Sequence, residues 1–186
     1  MSDLLRLDAT ALALIGHDIA TLDESDLTAP TPCTGWNVAD LIDHMNERHE
    51  EIIETVLGPL DEQAADRRDG FARIAARWMA AMEQAGEVVR LPLTGTIPTE
   101  MVLRIHFVDM LVHRWDIARA LGRPCPVPAR LTELALPMAR ATTAPGSPLN
   151  GPGGVYRTPL HEDSSLTPMD NIAALLGRDP RRENHW

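Results

Sequence analysis

Residues 101–121 read MVLRIHFVDMLVHRWDIARAL, and the fold turns on this stretch. A helix advances about 100° per residue, and on that projection the segment is apolar almost all round, as befits a central, buried element. His106, Asp109, His113 and Asp116 nevertheless fall within an arc of about 80°. Val102, Ile105, Ile117 and Ala120 share that side, while Arg104 and Arg114 lie roughly opposite. Ionisable groups on an inward stripe need partners, because unpaired buried charge costs several kcal/mol. Asp109 and His113 stand one turn apart, close enough to form a hydrogen-bonded pair or to grip one cation from a single helix face. Spacing alone leaves both readings open.

Outward from this helix the chain continues to read as helices. Residues 3–22 carry Leu4, Leu7, Leu12, Ile15, Ile19 and Leu22 at helical intervals. The stretch TAPTPCTGW at 28–36 is too rich in proline and threonine to be helical. Asn37 then reads as an N-cap with Asp40 three residues on, opening a second helix that Gly58 and Pro59 stop after Leu57. A third helix is expected over about 61–85, weakened near Gly70. The segment VVRLPLTGTIPTE at 88–100 reads as a short hairpin or an extended crossover. Thr96 or Thr99 is expected to cap the fourth helix, from about Pro98 to Leu121. A fifth helix over about 128–143, a long loop over 144–166 and a short helix over about 168–176 complete the reading. Four long helices in a bundle are the economical arrangement.

At 186 residues, with 44% apolar and 24% charged residues, the chain is of globular composition and long enough for one domain, 1–186. A formal net charge of −10 argues against nucleic acid and anionic membrane as partners. No apolar run approaches a membrane span, and MSDLLRLDAT lacks the features of a secretory signal. Two cysteines, Cys33 and Cys125, are too few for a disulfide scaffold. These features together predict a cytoplasmic location. A homodimer is left open, since no exposed stripe singles itself out.

A third ligand for a cation at Asp109 and His113 must come from another helix, and His44 is the best placed, flanking the apolar stripe of the second helix beside Leu41, Met45 and Ile52. His106 reads as a packing or supporting residue. Asp116 reads as a partner of Arg119 or as the group that orients His113. His17, His49, His161 and His185 read most simply as surface or loop residues, although His49 lies within the apolar stripe. Cys33 reads as a small packed residue that could lie near a pocket, and Trp36 and Trp115 read as core anchors.

The stretches TPCTGWNVADLIDHM (31–45), HFVDMLVHRWDIARALG (106–122) and LLGRDP (175–180) resemble actinobacterial metal-binding proteins of the DinB-like superfamily. Within it, they are most similar to the N-terminal domain of mycothiol-dependent maleylpyruvate isomerase. The resemblance implies an all-α fold, a DinB-like four-helix bundle with a crossover connection, plus short C-terminal helices and a long loop. It implies one divalent metal, zinc or nickel, on His44, Asp109 and His113. It also implies a thiol-dependent transferase or isomerase that uses mycothiol or a related small-molecule thiol on an electrophilic substrate. Two departures stand out: the isomerase has glutamate where this chain has Asp109, and it carries a further C-terminal domain. Isomerase activity itself is therefore not carried over. A non-catalytic metal- or small-molecule-binding module is the rival reading. A non-haem iron oxygenase is a further one, made less fitting by the helical fold because such triads usually sit in β-barrels.

Overall fold

The computed structural model describes residues 1–60, 66–91, 95–150 and 154–182. Four long helices carry the core: α1 (Asp3–Ala20), α2 (Val38–Leu57), α3 (Arg67–Gln84) and α4 (Thr99–Ala120). A two-stranded hairpin, β1 (Val88–Leu91) and β2 (Gly95–Pro98), links α3 to α4, and α5 (Ala129–Thr142) and α6 (Pro168–Leu175) follow. The expected all-helical character holds, with this hairpin added.

Local chemistry explains most boundaries. The Asn37 side chain accepts from the Asp40 amide while the Asp40 carboxylate accepts from the Asn37 amide, a capping box that opens α2 as expected. Gly58, at φ +79°, ends it. The first helix stops at Ala20, two residues early, where Thr21 turns back. Neither Thr96 nor Thr99 caps α4: Pro98 occupies the cap position without a side-chain bond, and the Thr99 hydroxyl donates to the Gly86 carbonyl at 2.6 Å. The reason is the hairpin, whose register pairs Val88 with Pro98 and carries the chain straight into α4. Of the expected third helix, residues 61–65 lie outside the described residues; Gly70 is accommodated within α3 and buried.

Helix α1 lies along α4 and α3, α2 lies along α3 and meets α4, and α5 and α6 pack together over α4. Ile15, Ile42, Phe71, Trp78, Phe107 and Leu111 are wholly buried where these faces meet. Each such side chain contributes roughly 1.5–3 kcal/mol by leaving water. Helix α4 is buried along nearly its whole length, which is why its sequence shows no polar face. Even Arg114 is buried, and donates to Asp18 at 2.7 Å and to the Pro126 carbonyl. Among the described residues, no helix is long and apolar enough to cross a membrane.

Candidate functional site

Asp109 and His113 of α4 face two adjoining cavities, and His106 faces one of them. One, of about 430 Å³, carries Arg48, Arg157 and Arg178 on its lining and is the more polar; the other, of about 130 Å³, is largely apolar. His44, Arg48, Asp109 and His113 line both. His44 comes from α2 and the other two members of the expected triad come from α4, so the helix pair that meets here brings all three to one place.

Asp109 Oδ2 lies 3.2 Å from His113 Nε2. On its other side, His113 Nδ1 lies 3.3 Å from Asp116 Oδ2. His113 is thus held between two carboxylates, with 5% of its side chain exposed against 24% for Asp109. Burial alone would lower the His113 pKa, but the charge and hydrogen bond of Asp109, helped by Asp116, lift it to about 9. Burial would raise Asp109, yet the facing His113 holds its carboxyl well below the usual range. The two form an ion pair. The His44 ring stands edge-on to His113 with centroids 5.9 Å apart. Burial, then the His113 charge, push His44 down to about 4 and leave a neutral imidazole.

Among the described residues, no three His, Cys, Asp or Glu side chains converge tightly enough to hold a metal ion as they stand. The separations are nevertheless near those of ligands. Two donors at about 2.0–2.1 Å from a tetrahedral ion stand roughly 3.3 Å apart, and two imidazoles on it place their ring centres roughly 5 Å apart. Asp109 and His113 meet the first spacing; His44 stands back by somewhat under an ångström on the second.

Asp116 pairs with Arg178, not with Arg119 as one of the two expectations had it. Arg178 donates through Nη2 to Asp116 Oδ2 at 2.9 Å and through Nε to Oδ1 at 3.3 Å, a two-pronged clamp on a wholly buried carboxylate. Arg119 instead reaches the carbonyls of Pro180 and Arg182 and lies over the Trp115 ring. The alternative expectation, that Asp116 orients His113, matches the geometry. Gly177 makes the clamp possible: its φ is +81°, and a Cβ there would sit 2.6 Å from that of Arg157.

The loop before α2 supplies the opposite wall. The Thr31 amide donates to the Trp36 carbonyl and the Trp36 amide to the Cys33 carbonyl, a tight turn that presents both residues to the site. Trp36 is therefore a wall of the polar cavity, its ring 4.7 Å from that of His44, not the core anchor the sequence suggested. Trp115 does anchor the core, donating to Asp170 at 2.8 Å. Cys33 also lines the cavity rather than simply packing, 3.7 Å from Asp116 Oδ2 and 3.6 Å from Arg178 Nη2. Burial and then Asp116 push its thiol up to about 12, so it stays protonated.

His49 corrects the sequence reading most plainly. It is buried and its Nε2 meets His106 Nε2; His106 Nδ1 in turn meets Asp8, and the Trp78 indole donates to the other Asp8 oxygen at 2.8 Å. Burial, then His106, hold the His49 pKa well below its ordinary value. His106 is a packing residue of this network, stacked on Trp78 at 4.0 Å, as expected. His17 and His161 are exposed; His185 lies outside the described residues.

Two residues of the site went unread. Tyr156, the chain's only tyrosine, is buried and donates its hydroxyl to Asp109 Oδ1 at 3.2 Å. Its signal was available, since a lone aromatic in a glycine- and proline-rich loop calls for a partner. Arg178 stood in a quoted motif, but nothing local pointed it 62 positions back to Asp116.

Residues 9–61 match the family model of the mycothiol maleylpyruvate isomerase N-terminal domain, a span that includes His44 but not α4. Two uncharacterized proteins of Mycobacterium tuberculosis, from strains H37Rv and CDC 1551, are each 30% identical over 170 residues, which is 88% of this chain and 91% of the relative. No solved structure matches significantly.

Proposed function

The chain belongs to the family of the mycothiol maleylpyruvate isomerase N-terminal domain, and from that premise we propose a DinB-like four-helix bundle that holds one divalent metal, zinc or nickel, on His44, Asp109 and His113. The site serves a thiol-dependent transferase: the S–H bond of mycothiol or a similar thiol breaks with its proton passing to solvent, sulfur bonds to an electrophilic carbon of a small substrate, and that carbon's leaving group departs with its bonding pair. The observation that carries the reading is His113, oriented through Nδ1 by Asp116 and turned through Nε2 toward Asp109, with His44 across the same cavity. A carboxylate behind a ligating imidazole is the arrangement that fixes the tautomer and direction of metal-bound histidines.

A divalent ion held by His44, Asp109 and His113 would supply Lewis acidity, the chemistry that lowers a thiol's pKa toward neutrality. The chain's residues do the rest. Arg178 neutralises Asp116 so that this carboxylate can face His113 inside the protein. Tyr156 fixes Asp109 through its second oxygen. His44 remains uncharged and so presents a lone pair. Arg48, Arg157 and Arg178 line the polar cavity and favour a thiol ligand that carries negative charge or many hydroxyls. Asp109 is one methylene shorter than the isomerase's glutamate, which argues for a related transfer rather than the same isomerisation.

Metal content of the purified protein, repeated for His44→Ala and His113→Ala, tests the site. About one ion per chain in the parent and loss in both variants is expected; full retention in both removes the assignment. Thiol transfer to a generic electrophile must then depend on the metal, and equal rates with and without it leave only a binding module.

A further inference from the structure

The apolar cavity beside the triad has no task in the scheme above. It measures about 130 Å³ and is enclosed by Met45 and Ile52 of α2, Val102 and Ile105 of α4, and Leu91 and Ile97 of the hairpin. Leu91, Ile97, Ile52 and Ile105 are only half-buried, so the space opens between hairpin and helices rather than being sealed in the core. Its inner end is the wall of His44, Asp109 and His113 that it shares with the polar cavity. The arginines divide unevenly: Arg157 and Arg178 line only the polar side, and Arg48 stands at the border.

Size and lining select the occupant. An engineered apolar cavity of about 150 Å³ stays dry and takes up benzene, so about 130 Å³ with an open side accommodates a ring of that size. A carboxylate or ammonium lodged between the aliphatic side chains would shed its water there, since the charged groups of the lining, Arg48, Asp109 and His113, all stand at the end shared with the polar cavity. His49, also on the lining, is buried and held neutral.

We propose that this chamber seats an uncharged hydrocarbon group of about benzene size on the electrophilic substrate, with Leu91 and Ile97 of the hairpin as its specificity-determining wall. The naming of the occupant as part of the substrate rests on the thiol-transfer reading; the chamber's preference for uncharged hydrocarbon does not. A group seated there places the atom attached to it against the His44–Asp109–His113 wall, with the polar cavity on the far side for the thiol.

Binding of benzene and of acetate to the full-length, metal-free protein tests the chamber, followed through isoleucine methyl resonances. Saturable benzene binding with shifts at Ile52, Ile97 and Ile105 is expected, with acetate weaker at these methyls by at least about tenfold. Ile105→Phe fills the space and removes benzene binding. Ile97→Asp, at a half-buried hairpin position, weakens it by about tenfold or more where the variant is folded by its methyl spectrum. Absence of saturable benzene binding, equal binding of acetate at the same methyls, or retention of parental affinity by folded Ile97→Asp and Ile105→Phe would each overturn the proposal. With metal and thiol added, turnover of benzyl chloride should exceed that of chloroacetate in the parent and lose that advantage in Ile97→Asp. Benzene binding without thiol transfer refutes the transferase reading and upholds the chamber. Thiol transfer without that preference does the reverse.

Discussion

Metal uptake should displace one proton, and the proton should come from His113. In the metal-free protein at pH 7, Asp109 is ionised, His44 is neutral with its pKa near 4, and His113 carries a proton with its pKa near 9. A cation can bind His113 only at the nitrogen that faces Asp109, so that proton must leave. Between about pH 5 and 8 the apparent affinity should therefore rise about tenfold per pH unit, or about 1.4 kcal/mol, and level off as pH passes 9. Calorimetric titration of the metal-free protein with zinc or nickel, in two buffers of different ionisation enthalpy, measures the protons directly: about one per ion is expected at pH 7. Asp109→Asn removes the larger of the two carboxylate influences that lift His113 and leaves that of Asp116, so metal binding should be weaker and release clearly less than one proton at pH 7.5. Affinity that is flat from pH 6 to 8, or a full proton released by Asp109→Asn, would refute the ion-pair description of the site.

The same groups set the pH dependence of stability without metal. His113 is raised in the fold, so its contribution is complete below about pH 6.5 and is lost as pH climbs toward 9; His44 and His49 are depressed, so theirs is complete above about 6.5 and is lost on acidification. Melting temperature should peak near pH 6.5 and fall more steeply on the acid side, where two histidines act against one; a plateau from pH 5 to 8.5 contradicts this. Arg178→Leu leaves Asp116 buried without its counter-charge and should cost about 3–5 kcal/mol in denaturant unfolding, with Arg178→Leu/Asp116→Leu recovering much of it. Equal stability of the single and double variants would show that the clamp is not what neutralises Asp116. Gly177→Ala should destabilise by clearly more than the ~1 kcal/mol expected for Gly58→Ala, because both have positive φ but only Gly177 is crowded, by Arg157; equal losses would dissociate Gly177 from the placement of the tail.

The parts of the fold that were legible are those set by neighbours in sequence. Asn37 and Asp40 cap each other across three residues, Gly58 ends the same helix, and the apolar sweep of α4 announces a buried helix. Thr99 was misread as a cap because its hydroxyl has a nearer use, the Gly86 carbonyl, which exists only once the hairpin has folded back. The hairpin itself was ambiguous: Val88, Val89 and Ile97 favour a strand, but the prolines and glycine among them suit a crossover equally well, and the choice is made by antiparallel pairing.

The site divides along the same line. Asp109 and His113 were legible because four residues of helix bring them together, and His44 because it borders a stripe that must face α4. His49 was not, although it sits in that stripe, because a buried histidine becomes reasonable only when its partners are known, and these are His106, 57 positions away, and through it Asp8, a further 98 positions from His106. Arg178 and Tyr156 pose the same difficulty from the C-terminal side. Both reach α4 from irregular segments whose course no periodicity dictates, yet between them they hold the two carboxylates that flank His113. Helical spacing could therefore supply the groups that would touch a cation. The residues that fix those groups in charge and direction came from long-range packing, and their removal should change the proton count and stability of the site before it changes the identity of its ligands.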